Sequence, residues 1–224
     1  MKFLFTILFY IDIVLAAVSF VLAFIILRRR HNPIYFNFGI SNLFLALWLT
    51  AISLMIVSGS PHNVSFVNLT FLFGILILHF FAIFTFRFPV KDSRDDKKII
   101  IIYLLTAIMS VPILIPGFYT ISAESDFPFL RVNIGRPWLT IFSVYFLALS
   151  IMSFRNLVKK YFTSDGIYKT QLFKIIIGTA VAVFANFIFS ISIYHFTSFD
   201  TNLIGAPFTF AVIVYIYSIL FSKK

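Results

Sequence analysis

Cysteine is missing from this chain of 224 residues, which excludes a disulfide framework, a thiolate metal site and a cysteine nucleophile. Charge is scarce too: 12% of residues carry one, against about a quarter in an average soluble domain. Acidic side chains are the scarcest, with 8 against 18 lysines and arginines. Enzyme signatures are lacking in the same way. There is no His-Glu-x-x-His zinc helix, no glycine-rich phosphate loop and no pair of aspartates inside a hydrophobic run. The four histidines (His31, His62, His79, His195) are far apart in sequence, so no metal site is expected. Neither a cofactor nor enzyme activity is expected.

What fills the chain is apolar. Hydrophobic residues make up 61%, phenylalanine alone counts 32, and the mean hydropathy is +1.02. A soluble protein of this length could not hide so much apolar surface, and long uncharged runs outweigh the alternative of an aromatic soluble core. The solvent must be largely lipid. Seven runs, of 17 to 25 residues, fall in the length range of membrane-spanning helices. They predict an all-α, polytopic seven-helix bundle with helices over 3–27, 34–57, 64–88, 99–119, 138–154, 172–196 and 203–221. The fifth is the shortest. No second domain, long linker or internal repeat is visible, so residues 1–224 read as one seven-helix membrane domain.

A net charge of +10 would ordinarily raise nucleic-acid binding, but the basic residues sit in alternate loops. Fifteen of the 18 fall in loops 1–2, 3–4 and 5–6 and at the C-terminus; the other side has Lys2, Arg131 and Arg136. Under the positive-inside rule the N-terminus is outside, the C-terminus is cytoplasmic, and no nucleic-acid partner is implied. The Asn32-Pro33 break separates the first two helices. Pro112 and Pro116-Gly117 lie within the fourth, where neighbouring helices can satisfy the freed backbone groups. Loop 121–137 has a segment, Phe129 to Gly135, that could form a short strand or hairpin. Arg155 to Gln171 reads as a basic connector with an Asp165-Gly166 turn, meeting anionic headgroups or a signalling partner. The sequons at Asn63 and Asn68 lie at or inside the membrane face and read as chance.

Ionisable and amide side chains inside the bilayer are costly and default to functional candidates. Counted from the outer ends, Asp12 and Asn186 lie roughly 13–15 Å deep, and His79 and Asn42 roughly 21–22 Å deep. Two polar layers follow, one shared by helices 1 and 6 and one by helices 2 and 3. Each residue has two readings: a ligand pocket or proton-linked switch, or an interhelical hydrogen bond worth about 0.6 kcal/mol. Hydrogen-bonding glue is the better reading of Asn42 and Asn186. His79 is evenly balanced, because imidazole titrates near neutral pH. Asp12 is the most expensive and the best single candidate: it must be protonated, paired, or open to a water-filled outer cavity.

Two seven-helix families do not fit. A retinal protein needs a lysine in the last helix, and 203–221 has none. A G-protein-coupled receptor of the animal kind would not close its third helix on Phe86-Arg87-Phe88-Pro89. The chain instead resembles the seven-helix N-terminal membrane region of bacterial sensor histidine kinases. The likeness rests on the basic turn Arg28 to Pro33 followed by Asn37, Phe44 and Leu47-Trp48, and on Phe86 to Pro89. Tyr168 to Leu172 leading to Gly178, and Gly205-Ala206-Pro207, continue it in order. The resemblance implies an input module joined through helix 7 to a cytoplasmic output domain. No phospho-acceptor or ATP-binding segment follows Phe221, so the expectation is either a free-standing sensory or structural membrane protein or output from a separate partner chain.

The expected function is therefore a multi-pass sensor-like module in the plasma (inner) membrane of a bacterium. Its partners are the lipid bilayer, an unknown small ligand and a signalling protein. The ligand would bind near Asp12 under loop 121–137 and shift helices 6 and 7. A small transporter or channel, or a structural membrane protein without ligand, are the alternatives. The stretch Val64 to Pro89, carrying His79, is expected at the centre of the bundle.

Overall fold

The computed structural model describes residues 2–29, 31–58, 62–89, 96–115, 117–126, 129–192 and 202–221. Its helices are α1 (Lys2–Leu27), α2 (Pro33–Val57), α3 (His62–Arg87), α4 (Asp96–Leu114), α5 (Arg136–Thr163), α6 (Gly166–Asn186) and α7 (Asn202–Phe221). Strands β1 (Thr120–Asp126) and β2 (Phe129–Ile134) form a hairpin between α4 and α5, and α6 continues as π-helix over Phe187–Ser192. All seven helices are long and apolar enough to cross a membrane. The protein is an all-α, multi-pass membrane bundle.

Contacts between neighbouring helices fix their directions. The Asn42 side-chain amide donates to the Ser19 carbonyl, while a Cβ on Gly39 would lie 2.8 Å from the Leu27 side chain. Higher numbers on α1 thus meet lower numbers on α2, so the pair is antiparallel. Ser41 Oγ donating to the Ile77 carbonyl, with Phe38 against Phe84, makes α2 and α3 antiparallel. Gln171 donating to the Ile219 carbonyl does the same for α6 and α7. The basic ends gather at one face: Arg29 lies 4.7 Å from the Phe221 ring, joining the end of α1 to the end of α7.

The α1–α2 seam follows from small residues at heptad spacing. Phe9, Asp12, Ala16, Ser19, Ala23 and Ile26 form the buried stripe of α1. Gly39, Asn42, Ala46, Leu49 and Ser53 recur at the same spacing on α2. In lipid, helices associate through close packing of such small residues, because no hydrophobic effect drives apolar faces together. Within their most apolar stretches, 61% of α2 and 56% of α3 is buried, against 22–28% for the other five helices. Val64 to Pro89 is central as expected, and α2 shares that place with it. Elsewhere large apolar side chains face outward, such as Ile108 and Ile151 at 65% exposed, as lipid contact demands.

Several boundaries differ from the expected ones. Helix α4 stops at Leu114 instead of near Tyr119, and Gly117 then takes a positive φ of 74° that turns the chain into β1. The hairpin is present, with Phe129–Ile134 as its second strand and Thr120–Asp126 pairing to it antiparallel. Helix α5 has 28 residues, making it the longest rather than the shortest. Arg155, Lys159 and Lys160 end the apolar run without ending the helix, since lysine and arginine are good helix formers. The Arg155 to Gln171 connector is accordingly helical apart from a joint at Ser164 and Asp165, and Gly166 has φ 59°. Residues 193–196, expected to finish the sixth helix, lie outside the described residues.

The extension of α5 has a structural task. Lys160 Nζ donates to the carbonyls of Thr85, Phe86 and Phe88 at 3.0, 2.6 and 2.8 Å. Thr85 and Phe86 carry terminal carbonyls of α3 and Phe88 follows its end, where carbonyls lack intrahelical partners and the helix dipole is negative. Asn156 adds a bond to Thr85 Oγ1 at 3.3 Å, and Arg87 pairs with Asp96 across the α3–α4 turn at 3.3 Å. That last pair is partly exposed and contributes little. Replacing Lys160 with methionine, which keeps the stem, is expected to cost about 2 kcal/mol through the lost charge-assisted bonds. The detergent-solubilised protein should then melt several degrees lower; an unchanged midpoint would show that the α3 terminus does not depend on Lys160.

Candidate functional site

The four polar candidates occupy three separate places. Asp12 and Asn42 share the α1–α2 seam. Asp12 is fully buried, and neither carboxyl oxygen has a hydrogen-bond partner among the described residues. Ser19 Oγ, Asn42 Oδ1 and Ser53 Oγ, on the same two stripes, are also buried without a partner there. Asn42 uses its amide to hold the Ser19 carbonyl at 3.1 Å. A buried carboxylate without a compensating bond costs several kcal/mol. Of the three arrangements expected for Asp12 (protonated, paired, or open to a water-filled outer cavity), no paired side chain is present among the described residues, and the carboxyl is not exposed.

His79 belongs to a network on the other side of α3. Its Nδ1 lies 2.7 Å from Thr106 Oγ1, which is 2.6 Å from the Tyr145 hydroxyl and 2.8 Å from the Ile102 carbonyl. Proton counting gives this network a direction. The Ile102 carbonyl can only accept, so the single hydroxyl proton of Thr106 goes to it. Thr106 must then accept from both His79 Nδ1–H and Tyr145 O–H. The imidazole therefore carries its proton on Nδ1, and α3, α4 and α5 are joined through one oxygen. Phe80 and Tyr103 meet the ring edge-on, with centroids 4.8 and 4.6 Å away.

Asn186 closes α6 where the α-helix gives way to the π-helical segment. Its side-chain amide donates to the Ala182 carbonyl at 2.9 Å and to Thr209 Oγ1 on α7. π-Helical segments are rare and recur at functional sites. Beside this joint is a cavity of about 120 Å³ between α2, α3, α5, α6 and α7. Phe71, Phe142 and Phe146 supply much of its wall, and Ser41, Thr179, Asn186 and Thr209 border it. None of its lining residues is ionisable.

The two expected layers are not formed as pairs. Asp12 and Asn186 do not meet: one bonds nothing described and the other bonds α7. Asn42 reaches back to α1 instead of across to His79, which bonds α4. The depth estimates use one coordinate, whereas a hydrogen bond also needs facing directions around each helix. Of the histidines, His79 is buried and His31 is exposed at the basic end, while the side chains of His62 and His195 lie outside the described ones. Among the described residues, no three of His, Cys, Asp and Glu gather as a metal set. Asn68 is buried and accepts from Thr120 Oγ1 of the hairpin, which occupies its side chain. Sequence reasoning missed Thr106, Tyr145, Thr209 and Lys160. The first three are polar groups within apolar runs, the same signal that singled out His79 and Asn186.

The fold and these sites define a seven-helix integral membrane protein whose buried polar groups tie helix to helix around a small apolar cavity. Over residues 12–223 the chain matches the N-terminal 7TM region of histidine kinase, and it belongs to that family. No curated protein and no solved structure matches the chain. Membership makes it a membrane sensor module of the histidine-kinase input type.

The Thr106 network yields an unequal pair of variants. Tyr145→Phe removes one donor and should cost about 0.6 kcal/mol, the average for an interhelical bond in membranes. Thr106→Val strands two buried donors and should cost about 2 kcal/mol or more. Unfolding in mixed micelles measures both; equal costs would refute the shared-oxygen arrangement.

Proposed function

We propose that this chain is the input module of a bacterial sensor in the plasma (inner) membrane, with its N-terminus outside and its C-terminus in the cytoplasm. Residues 1–224 act as one domain without enzyme activity of their own. A small ligand, or a change in the membrane, favours one arrangement of α6 and α7 over another. A separate signalling partner reads that shift at the basic face. A ligand can move the equilibrium only by its difference in affinity for the two arrangements.

The observation that carries this reading is the Asn186–Thr209 contact, set at the α-to-π joint of α6 beside the cavity. It gives the two helices a polar link at a point of irregular backbone. Asn186 is the proposed ligand-side residue, and Asp12 the switch, its buried carboxyl being costly to keep and close to the outer end of α1. His79 and Asn42 serve as joints that hold α3 to α4 and α1 to α2. The excess of basic residues at one end supports the orientation.

The absence of cysteine makes labelling free of background. Glu124→Cys, exposed on the hairpin, should react with an impermeant maleimide on intact spheroplasts, and Phe162→Cys, 75% exposed near the end of α5, only after permeabilisation. The opposite pattern would invert the topology. For the sensor itself, spin labels at Ile108→Cys on α4 and Phe184→Cys on α6, 65% and 69% exposed, report the placement of α6. In a screen of small molecules, a distance change seen in this pair and lost with Asp12→Asn supports the switch. A change indifferent to Asp12→Asn would remove Asp12 from the switch, and no change with any binder would remove the sensor reading.

A further inference from the structure

Two side chains on the cavity, Trp48 and Thr179, have a polar group with nothing to bond among the described residues. Trp48 is 6% exposed and lines the cavity, and its indole N–H has no acceptor among the described residues. Gly74 faces it: a Cβ built there would stand 3.9 Å from Trp48 Nε1. That is an ordinary contact, so glycine is not required there by crowding. Its bare Cα leaves the space in front of the indole nitrogen open. Thr179, 4% exposed and on the same cavity, has a hydroxyl without a partner there. An indole N–H can only donate, so at a cavity wall it is a group that an occupant with an acceptor would satisfy.

The walls define what could satisfy that donor. No lining residue carries charge, so an ionic ligand would lose its hydration without a counter-charge, at a cost of several kcal/mol. Aromatic rings from α3 and α5 offer flat apolar contact. The volume of about 120 Å³ sets the size, since an apolar cavity of about 150 Å³ takes up benzene. We propose that this cavity is a binding site for a small neutral molecule, about one ring in size, that accepts a hydrogen bond from the Trp48 indole N–H. The proposal deepens the sensor reading by naming a ligand class, and rests on it only for what binding then does to α6 and α7. The walls come from α2, α3, α5, α6 and α7, so an occupant touches both helices of the proposed moving pair.

The chain has 2 tryptophans, so nitrogen-15 tryptophan labelling in nanodiscs gives two indole signals, which Trp48→Phe assigns. Phenol is the probe, and toluene, of the same shape without the oxygen, is its control. Phenol should shift the Trp48 signal saturably and leave Trp138 unmoved, and toluene should not reproduce the shift. Gly74→Val places a side chain in front of Nε1 and should weaken phenol at least about tenfold. Should that variant not fold, Trp48→Phe keeps the ring, and the preference of phenol over toluene in thermal stabilisation should vanish. Linear drift of both indole signals would mean partition into the bilayer only and would overturn the site. Equal effects of toluene and phenol would overturn the ligand class. Saturable binding with no change in the Ile108–Phe184 label distance would uphold the site and reject the sensor reading, so the two failures are distinguishable.

Discussion

Hydrocarbon cannot hydrogen-bond a peptide group, and every other property of this chain is arranged around that limit. Each crossing must close its own backbone bonds as helix, and its ends must be met by something else. The Asn32 cap on Ile34 N at 2.9 Å, ahead of Pro33, meets one such end. Lys160 meets another by reaching from α5 to three carbonyls at the close of α3. The hairpin does related work at the other end, where its buried Thr120 bonds Asn68 on α3. A local cap thus serves the start of α2, while Lys160 and Thr120 are tertiary contacts that tie α3 to α5 and to the hairpin.

Because apolar faces gain little from meeting one another in lipid, the bundle is held by close approach and by polar links. The α1–α2 seam carries Ala16, Ser19 and Ala23 on one stripe and Gly39, Asn42 and Ala46 on the other, with Leu27 and Ile26 closing on Gly39 and Asn42 bonding the Ser19 carbonyl. The α2–α3 pair uses aromatic contacts, with Phe44 lying against both Phe73 and Phe80. These two seams leave α1, α2 and α3 as one layer. The remaining helices attach through fewer contacts, among them the polar links His79–Thr106–Tyr145 to α4 and α5 and Asn186–Thr209 between α6 and α7. A bundle with one firmly packed layer and a looser set of helices around a cavity is suited to population shifts, because the loose part can rearrange without unpacking the rest.

The seven helices, their order and the concentration of basic residues at one end were legible in the sequence, because hydropathy and loop charge are one-dimensional properties. The family was legible too, from soft motifs such as Arg28 to Pro33 and Gly205-Ala206-Pro207. Helix ends were less so. Charge at Arg155, Lys159 and Lys160 marks the limit of an apolar run, and helix formation carries on through it. For the candidate site the residues were found and their partners were not. Asp12, Asn42, His79 and Asn186 stood out as polar groups in apolar surroundings, but the depth of a residue says nothing about the direction it faces.

The sequence alone therefore determined the solvent, the number of crossings and the list of polar groups that must be dealt with inside the membrane. Only the tertiary structure decided which helix each group answers to: Asn42 to α1, His79 to α4, Asn186 to α7, and Asp12 to no described side chain. It also placed an uncommitted Trp48 N–H in front of Gly74 and gathered five helices around a space between them. Partnership depends on rotation about each helix axis, and that angle is set by packing among all seven helices at once.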